Sequence, residues 1–333
     1  MNELISPDKI YEALLDLRAR PIDGQNLVAS RLELPGIYLA IDGEENIRIL
    51  IQDDRGEIAP PRRLKYLSVD YGLHLEGVAG SERFRGRFIS MKLTQNSDPM
   101  LRAFSTVLGL LFMQLREEFN VQDLRQLVED FIELFRPRSG DPRERIKGLW
   151  GELACILYSD SPQLFAAAWH EQVNAKRDFT FARTYLEVKT TEGAIRKHEV
   201  GLNQLLSSSE GKVVYLASVL VEEDQTGITI FDLLSGILES GLDSASQQRV
   251  VKLFIDTVGL DTDEARELRF RVQFGLEQGL WIFKADNLPR PLESDSGIES
   301  AVSNTRFTLN LEIVKAFGVT EMSLSDFSSN LAS

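Results

Sequence analysis

The run VVYLASVLV, residues 213–221, limits the fold of this chain more than any other feature. It is apolar almost throughout and shows no alternation of polar and apolar positions, which indicates a strand buried on both faces. Such a strand needs a covering layer on each side of its sheet. The patterns before it predict a helix, two short strands and a second helix, at Glu144–Tyr158, Arg177–Phe181, Tyr185–Thr190 and Glu199–Leu206. This order predicts an α/β layer.

Segments of different character flank this layer. We expect a β-rich and helical N-terminal domain at residues 1–138, the α/β core at 139–222 and an α+β extension at 223–333. The fold class is therefore predicted as α/β in the core and α+β overall. The N-terminal strand patterns lie at Gly36–Ile41, Ile47–Gln52, Leu64–Val69, Leu73–Val78 and Phe84–Leu93, and the helix patterns lie at Pro7–Arg18, Pro99–Glu118 and Val121–Phe135.

The composition excludes some classes of protein. No stretch approaches the roughly 18 consecutive apolar residues of a membrane span. The first residues, MNELISPDKIYEALLDL, are acidic and amphipathic, unlike a signal peptide. The single cysteine, Cys155, has no partner for an internal disulfide. We therefore expect a cytoplasmic protein with no membrane segment.

The net charge of −14 opposes contact with nucleic acid, because phosphate groups are bound by lysine and arginine. The charge is unevenly distributed, however. Residues 136–217 carry 12 basic and 10 acidic residues, a net of +2, whereas residues 1–135 have a net of −6 and residues 218–333 a net of −10. The middle segment is the part with a positive balance, although random scatter of surface charge would also produce such a difference.

Asp178, Glu187 and Lys189 form the strongest chemical pattern in the chain. Side chains alternate faces along a strand, so Glu187 and Lys189 share one face. If residues 182–183 form a tight turn, Asp178 lies opposite Glu187, with the two Cβ atoms about 4.5–5.5 Å apart. Two carboxylates at that distance repel each other unless a hard divalent cation lies between them. A surface hairpin with an ion pair would have the same sequence pattern, and this alternative stays open here.

A divalent cation in this position would support hydrolysis of a phosphodiester. Such an ion lowers the pKa of bound water, and Lys189 is placed to orient that water or to neutralise charge on the scissile phosphate. Glu152 lies at the margin of the apolar stripe of the helix predicted at Glu144–Tyr158. From there its carboxylate can reach across a helix–sheet junction toward the ion, although a solvated helix glutamate would fit the same pattern.

Three segments together resemble the PD-(D/E)XK nuclease superfamily. They are Gly-Glu-Leu at 151–153, Arg-Asp-Phe at 177–179 and Leu-Glu-Val-Lys-Thr at 186–190. More narrowly, they resemble a family of that superfamily encoded beside bacterial restriction-modification and phage-defence genes. The resemblance implies a restriction-endonuclease-like αβββαβ core. Lys176-Arg177 stands where the motif is named for a proline.

The resemblance also implies a role for each matching residue. It makes Asp178, Glu187 and Glu152 the metal ligands, and these three together with Lys189 the catalytic set. His198 and Gln204 follow the core strand in the segment His-Glu-Val-Gly-Leu-Asn-Gln-Leu, and they correspond to residues that support the site or contact DNA.

The function expected from these observations is a DNA endonuclease that uses Mg²⁺, with Mn²⁺ as an alternative ion. By resemblance it would be the cleavage subunit of a restriction or phage-defence system, with a helicase or ATPase as partner. A homodimer is the simplest arrangement for cutting both strands. The acidic charge leaves open a non-catalytic scaffold or DNA-binding subunit of a multi-protein complex. An RNA nuclease or a Holliday-junction resolvase is a third alternative.

Overall fold

The fold was analysed in a computed structural model of the chain. It describes residues 6–20, 27–32, 34–53, 59–94, 97–112, 126, 128–129, 132, 140–170, 177–206, 211–291 and 305–332. The contacts between residues divide the chain into two compact units. The first unit comprises residues 1–139 and 258–263, and the second comprises residues 140–257 and 264–333.

Among the described residues, the first unit contains a mixed sheet and helices before and after it in the chain. The strand order of the sheet is β1-β2-β3-β6-β5-β4, and β1 also pairs in parallel with β5. The first helix begins as the sequence predicts, since the Ser6 side chain caps it and Pro7 occupies its first turn. The elements are α1 Pro7–Ala19, β1 Leu27–Arg31, β2 Ile37–Ile41, β3 Ile47–Gln52, β4 Arg62–Arg63, β5 Leu67–Ala79, β6 Glu82–Leu93 and α2 Asp98–Phe112.

One strand of this unit differs from the sequence prediction. The patterns at Leu64–Val69 and Leu73–Val78 predict two separate strands, because Tyr71-Gly72 interrupts them. Instead β5 is continuous, and its pairing with β6 shifts register between Asp70 and Leu73. The glycine therefore marks a β-bulge rather than a turn, as isolated glycines within strands often do. The helix predicted at Val121–Phe135 lies largely outside the described residues.

The second unit is built on a sheet with the order β11-β10-β8-β7, in which β12 also pairs with β10. β9 leaves this sheet and pairs with β13. The elements are α3 Pro142–Leu157, α4 Pro162–Ala168, β7 Phe179–Thr180, β8 Thr184–Glu192, β9 Lys197–Gly201, α5 Leu202–Leu205, β10 Val213–Ile228, α6 Ile230–Glu239, α7 Ser244–Val258, α8 Thr262–Glu267, β11 Phe270–Val272, α9 Leu276–Gly279, β12 Leu280–Lys284, β13 Arg306–Asn310, α10 Leu311–Ala316 and α11 Leu324–Ala332.

The apolar run at 213–221 forms the first part of β10, which lies in the middle of this sheet. β10 runs parallel to β8 over nine paired residues, from Val213↔Thr184 to Val221↔Glu192, and β11 and β12 pair with it antiparallel. The run is therefore buried as a central strand. A parallel pair needs a crossover between its strands. β9 and α5 provide that crossover, and α5 places its side chains beside β8.

Helix α3 packs closely on β8 because a glycine lies at the contact. A Cβ atom on Gly151 would lie 1.9 Å from Oγ1 of Thr190, closer than two atoms can approach. The next residue along the helix is Glu152, so this close approach also fixes where the Glu152 side chain enters the helix–sheet junction. Asp141 caps the start of α3 and Pro142 occupies its first turn.

The predicted α+β fold class and the restriction-endonuclease-like order of elements are confirmed. α3, β7, β8, β9, α5 and β10 follow one another as αβββαβ, with α4 inserted after α3. Two local predictions differ from the structure. The helix predicted at Glu199–Leu206 is confirmed only at Leu202–Leu205, because Glu199–Gly201 belong to β9. The serine-rich tail, 323–333, was expected from its composition to be disordered, but Leu324–Ala332 form α11. The three-domain division stays a prediction, although its boundary at residue 222 falls inside β10. Among the described residues no helix is long and apolar enough to cross a membrane.

Candidate metal centre

The hairpin of β7 and β8 places Asp178 beside the middle of β8. Its pairs are Phe179↔Leu186 and Thr180↔Tyr185, so continuing this register by one residue sets Asp178 opposite Glu187, as the sequence predicted. Asp178 lies just before the first strand residue. Its Oδ2 accepts a hydrogen bond of 2.6 Å from the backbone N–H of Val188. The aspartate is therefore oriented by the strand that carries the glutamate.

Glu187 has a buried carboxylate in which only one of the two oxygens has hydrogen-bond partners among the described residues. Its side chain is 2% exposed, whereas that of Lys189 is 25% exposed. Oε1 lies 2.8 Å from Nζ of Lys189 and also accepts a hydrogen bond from the Gln204 side chain. Oε2 is buried and has no hydrogen-bond partner within the described part of the chain. Burying an ionised oxygen without a partner costs free energy, so this carboxylate is suited to binding a cation.

Gln204 reaches Glu187 from the crossover between β8 and β10. The backbone N–H of Gly201 donates a hydrogen bond of 2.8 Å to Oε1 of Gln204, which leaves the amide NH₂ to donate to Glu187. Of the two roles expected for this glutamine, support of the site is the one that its contacts fit. Gln204 orients the Glu187 carboxylate and is not itself a candidate metal ligand.

Glu152 enters from α3 and is oriented by two neighbouring aromatic side chains. Its Oε2 accepts a hydrogen bond of 2.7 Å from the indole N–H of Trp169 and lies 2.9 Å from Nε2 of His170. Trp169 forms an isolated antiparallel bridge with Phe179, and the backbone N–H of His170 donates to the carbonyl of Asp178 over 2.9 Å. The same short pairing therefore brings both aromatic residues beside the aspartate.

His170 has an unusual backbone conformation. Its φ angle is 31°, in the region that residues other than glycine rarely adopt. Arg249 stabilises this segment, because its guanidinium donates hydrogen bonds to the carbonyls of both Trp169 and His170. Backbone in such sparsely populated regions is concentrated at functional sites, where surrounding contacts impose it.

The residues that could share one ion differ from the predicted set by one member. Glu152, His170 and Asp178 each offer a ligand atom, and these three atoms lie within 4.8 Å of one another. Two of these residues, Glu152 and Asp178, were predicted as ligands from the sequence. Glu187 is not one of these three residues, and its Oε1 is in contact with Lys189 and Gln204. It adjoins the group as a further acidic residue.

The electrostatics of the cluster reflect its concentration of acidic groups. Burial raises the pKa of Asp178 well above its ordinary value, and repulsion from Glu187 and Glu152 adds to the shift. Burial also raises the pKa of Glu187, against the attraction of Lys189. Burial alone would lower the pKa of Lys189, but the attraction of Glu187 and Asp178 outweighs it and raises the value. The lysine is therefore held as a cation beside two carboxylates that lack sufficient positive charge.

His198 lies behind β8 rather than at the metal centre. It is 4% exposed, and its Nε2 lies 2.7 Å from Oγ of Ser218, the residue of β10 that pairs with Lys189. Burial, with repulsion from Arg196 and Lys189, lowers the pKa of His198 to about 3, which keeps the ring neutral. Of its two expected roles, a buried ring in contact with the β10 residue that pairs with Lys189 fits support of the site and does not fit contact with DNA.

Sequence reasoning missed Trp169 and His170. His170 is one of three histidines scattered along the chain, and no spacing rule connects residue 170 to residues 152 and 178. A detectable signal was the aromatic pair Trp-His just before the motif strand. Arg177, at the position of the motif's proline, is buried and donates a hydrogen bond of 2.9 Å to the carbonyl of Leu206, while Lys176 lies outside the described residues.

Comparison with known proteins supports the resemblance found in the sequence. A family model described as "Putative PD-(D/E)XK family member, (DUF4420)" matches residues 9–312 of the chain. The match spans nearly the whole chain and includes every residue of the cluster described above. Searches of curated proteins and of solved structures each gave no match.

Proposed function

We propose that this chain, which belongs to the PD-(D/E)XK family matched by that model, is a metal-dependent deoxyribonuclease that hydrolyses phosphodiester bonds. One observation carries the proposal. Ligand atoms of Glu152, His170 and Asp178 converge within 4.8 Å of one another, beside the ion pair of Glu187 and Lys189. Such a concentration of acidic groups around one lysine is typical of a site that binds a divalent cation and a phosphate together.

The residues present fit a divalent ion. Within the described residues Oε2 of Glu187 is buried without a partner, and burial, with repulsion from Glu187 and Glu152, raises the pKa of Asp178. Carboxylate oxygens are the ligands that Mg²⁺ and Mn²⁺ prefer. When bound, such an ion supplies Lewis-acid activation of water and neutralises charge on the phosphate.

The chain's own residues would stabilise charge on the phosphate and orient the carboxylates. Lys189 keeps its ammonium charged at neutral pH and at 25% exposure can reach a phosphate oxygen, where it would stabilise the charge that develops during hydrolysis. Gln204 holds the Glu187 carboxylate in one orientation. The indole of Trp169 does the same for Glu152. These contacts preorganise the ligands before substrate binds, which is the protein's main contribution at such a site.

The proposal is tested by cleavage of supercoiled plasmid with purified protein in Mg²⁺ or Mn²⁺. We expect nicking by the wild type and a loss of at least about 100-fold in Asp178→Asn and Lys189→Met. Glu277→Gln is the matched control, because Glu277 is an exposed carboxylate outside the cluster. Binding of Mn²⁺ is measured separately by electron paramagnetic resonance. Undiminished nicking by both cluster variants would contradict the proposal.

The identity of the ion depends on His170. An imidazole ligand is acceptable to Mn²⁺ but is less suited to Mg²⁺, which prefers oxygen ligands and retained waters. We therefore propose Mg²⁺ as the ion that supports activity and Mn²⁺ as the ion bound more tightly. His170→Gln replaces the ring by an amide and should lower the ratio of Mn²⁺ to Mg²⁺ affinity. An unchanged ratio would show that His170 only positions Glu152.

A second function, a non-catalytic scaffold or DNA-binding subunit, is favoured by one observation, the net charge of −14. In that case the protein would bind neither Mg²⁺ nor Mn²⁺ and would cut no form of DNA or RNA. A role in restriction or phage defence, a helicase or ATPase partner and a homodimer stay predictions from the resemblance. Copurification of the chain with its encoded neighbours and measurement of its mass in solution test them.

A further inference from the structure

Three arginines follow one another along one face of the long hairpin of β5 and β6 in the first unit. They are Arg83, Arg85 and Arg87, here called the arginine row. Each pairs with a residue of β5, as Val78↔Arg83, Glu76↔Arg85 and His74↔Arg87. Alternate residues of a strand point to the same face, so the three guanidinium groups project together. Arg83 and Arg85 are exposed and Arg87 is half-buried.

The opposite face of the hairpin is fixed by aromatic packing. Phe88 is buried, and the Phe84 ring stacks on Tyr38 with 4.7 Å between the ring centroids. Gly77 lies so close to Phe84 and to the Leu27 carbonyl that a Cβ there would clash. The hairpin is therefore anchored to the sheet, and the arginine row stands on rigid backbone.

The bulge in β5 makes room for one end of the row. Gly72 has a φ angle of 67°, and a Cβ at that position would lie 2.6 Å from Nη2 of Arg87. The side chain of Arg87 is thus accommodated against glycine, close to the strand. The local backbone is shaped around a guanidinium group, which a solvated arginine does not require.

The charge on this face is unbalanced. In the described part of the chain, the side chains of Arg83 and Arg85 have no ion-pair or hydrogen-bond partner, and Glu76 makes no ion pair with Arg85 across the strands. None of the large exposed apolar side chains of the described chain lies between residues 67 and 93. A basic face without large exposed apolar side chains fits a hydrated polyanion better than a lipid bilayer or a hydrophobic protein groove.

We propose that the arginine row binds the phosphate backbone of DNA. Successive guanidinium groups are about 6.8 Å apart, because a strand rises about 3.4 Å per residue. The row spans about 14 Å, the axial length of about four phosphates of one strand of a duplex. A guanidinium group binds phosphate through two parallel N–H donors. The row provides a non-specific DNA contact on a chain that is acidic overall. This inference rests on the proposed deoxyribonuclease function, which makes a phosphodiester backbone the substrate.

The test measures DNA binding without cleavage. A fluorescent 30-base-pair duplex is titrated with the full chain in EDTA, by anisotropy, at several salt concentrations. The double variant Arg83→Gln, Arg85→Gln removes the two exposed arginines and leaves Arg87 in its packing. The control Arg31→Gln, Lys65→Gln removes two positive charges elsewhere on the same unit. We expect the row variant to lower the slope of log K against log salt by about 1.8 and to weaken binding tens of fold at 0.1 M salt, and the control to change both much less.

Equal affinity and equal salt slope for the row variant and the control would overturn the inference. So would wild-type protein that binds polyglutamate but not DNA, because the row would then recognise acidic protein. Asp178→Asn, measured in parallel, separates this inference from the proposed function, since it should abolish cleavage and retain DNA binding through the row. Loss of cleavage in Asp178→Asn without any effect of the row variant on binding would refute the row and leave the nuclease standing.

Discussion

Asp178→Asn should stabilise the metal-free protein while it abolishes activity. The ligand atoms of Asp178 and Glu152 lie within 4.8 Å. When both carboxylates are ionised, two full negative charges at that distance repel each other by about 3.5 kcal/mol at an effective dielectric constant of about 20. Asparagine removes this repulsion, and its side-chain oxygen can still accept the hydrogen bond from the Val188 N–H. The attraction of Asp178 for Lys189 is lost as well, so we expect a net gain of about 1–2 kcal/mol.

The assay is thermal unfolding of the full chain with EDTA and with saturating Mn²⁺. For a domain of 150–250 residues, each 1 kcal/mol shifts Tm by about 2–4 °C, so the variant should melt about 2–8 °C higher in EDTA. An ion present at 100 times its Kd stabilises the wild type by about 2.7 kcal/mol. The variant should gain much less, so the order of the two Tm values should reverse when Mn²⁺ is added.

Two results would refute this reasoning. One is a variant that melts lower than the wild type in EDTA, which would mean that Asp178 is stabilised where it stands. The other is an equal increase in Tm on adding Mn²⁺ to both proteins, which would mean that the aspartate does not bind the ion. Glu277→Gln should match the wild type in both solutions, because it removes an exposed carboxylate.

Three further predictions concern the support around the cluster. Gln204→Leu removes the amide that orients Glu187 and should lower Mn²⁺ affinity or cleavage by about 10–100-fold, measured by metal titration and plasmid nicking. The neutral ring of His198, with its pKa lowered to about 3, gives stability that is present above pH 6.5 and is lost as the pH falls; between pH 7.5 and 5 the wild type should lose about 2 kcal/mol more than His198→Gln, with His74→Gln as the exposed control, in urea unfolding. Gly151→Ala should destabilise the chain by about 1–3 kcal/mol through its clash with Thr190, and Thr190→Ala in the same chain should recover most of that loss; no recovery would show that the contact is not the cause.

Local features of the chain were predicted well because they depend on residues close in sequence. The start of α1 follows from Ser6 and Pro7, and the register of the β7–β8 hairpin follows from the short connection at residues 182–183. The bulge at Gly72 was misjudged because one glycine between apolar runs fits a turn and a bulge equally well. The helix predicted near Glu199–Leu206 is shorter than expected because pairing with β13, more than 100 residues later in the chain, holds Glu199–Gly201 as strand.

The sequence by itself determined the strand pair that carries Asp178, Glu187 and Lys189. Alternation along a strand and a short turn fix which side chains face each other, and the apolar run at 213–221 fixes where that pair is buried. Only the tertiary structure decided which other groups join them. Glu152 lies at the site because Gly151 allows α3 to pack closely on β8. His170 lies at the site because its neighbour Trp169 forms a β-bridge with Phe179, ten positions later in the chain. Such convergence depends on packing between separate elements, which no periodicity in the sequence records.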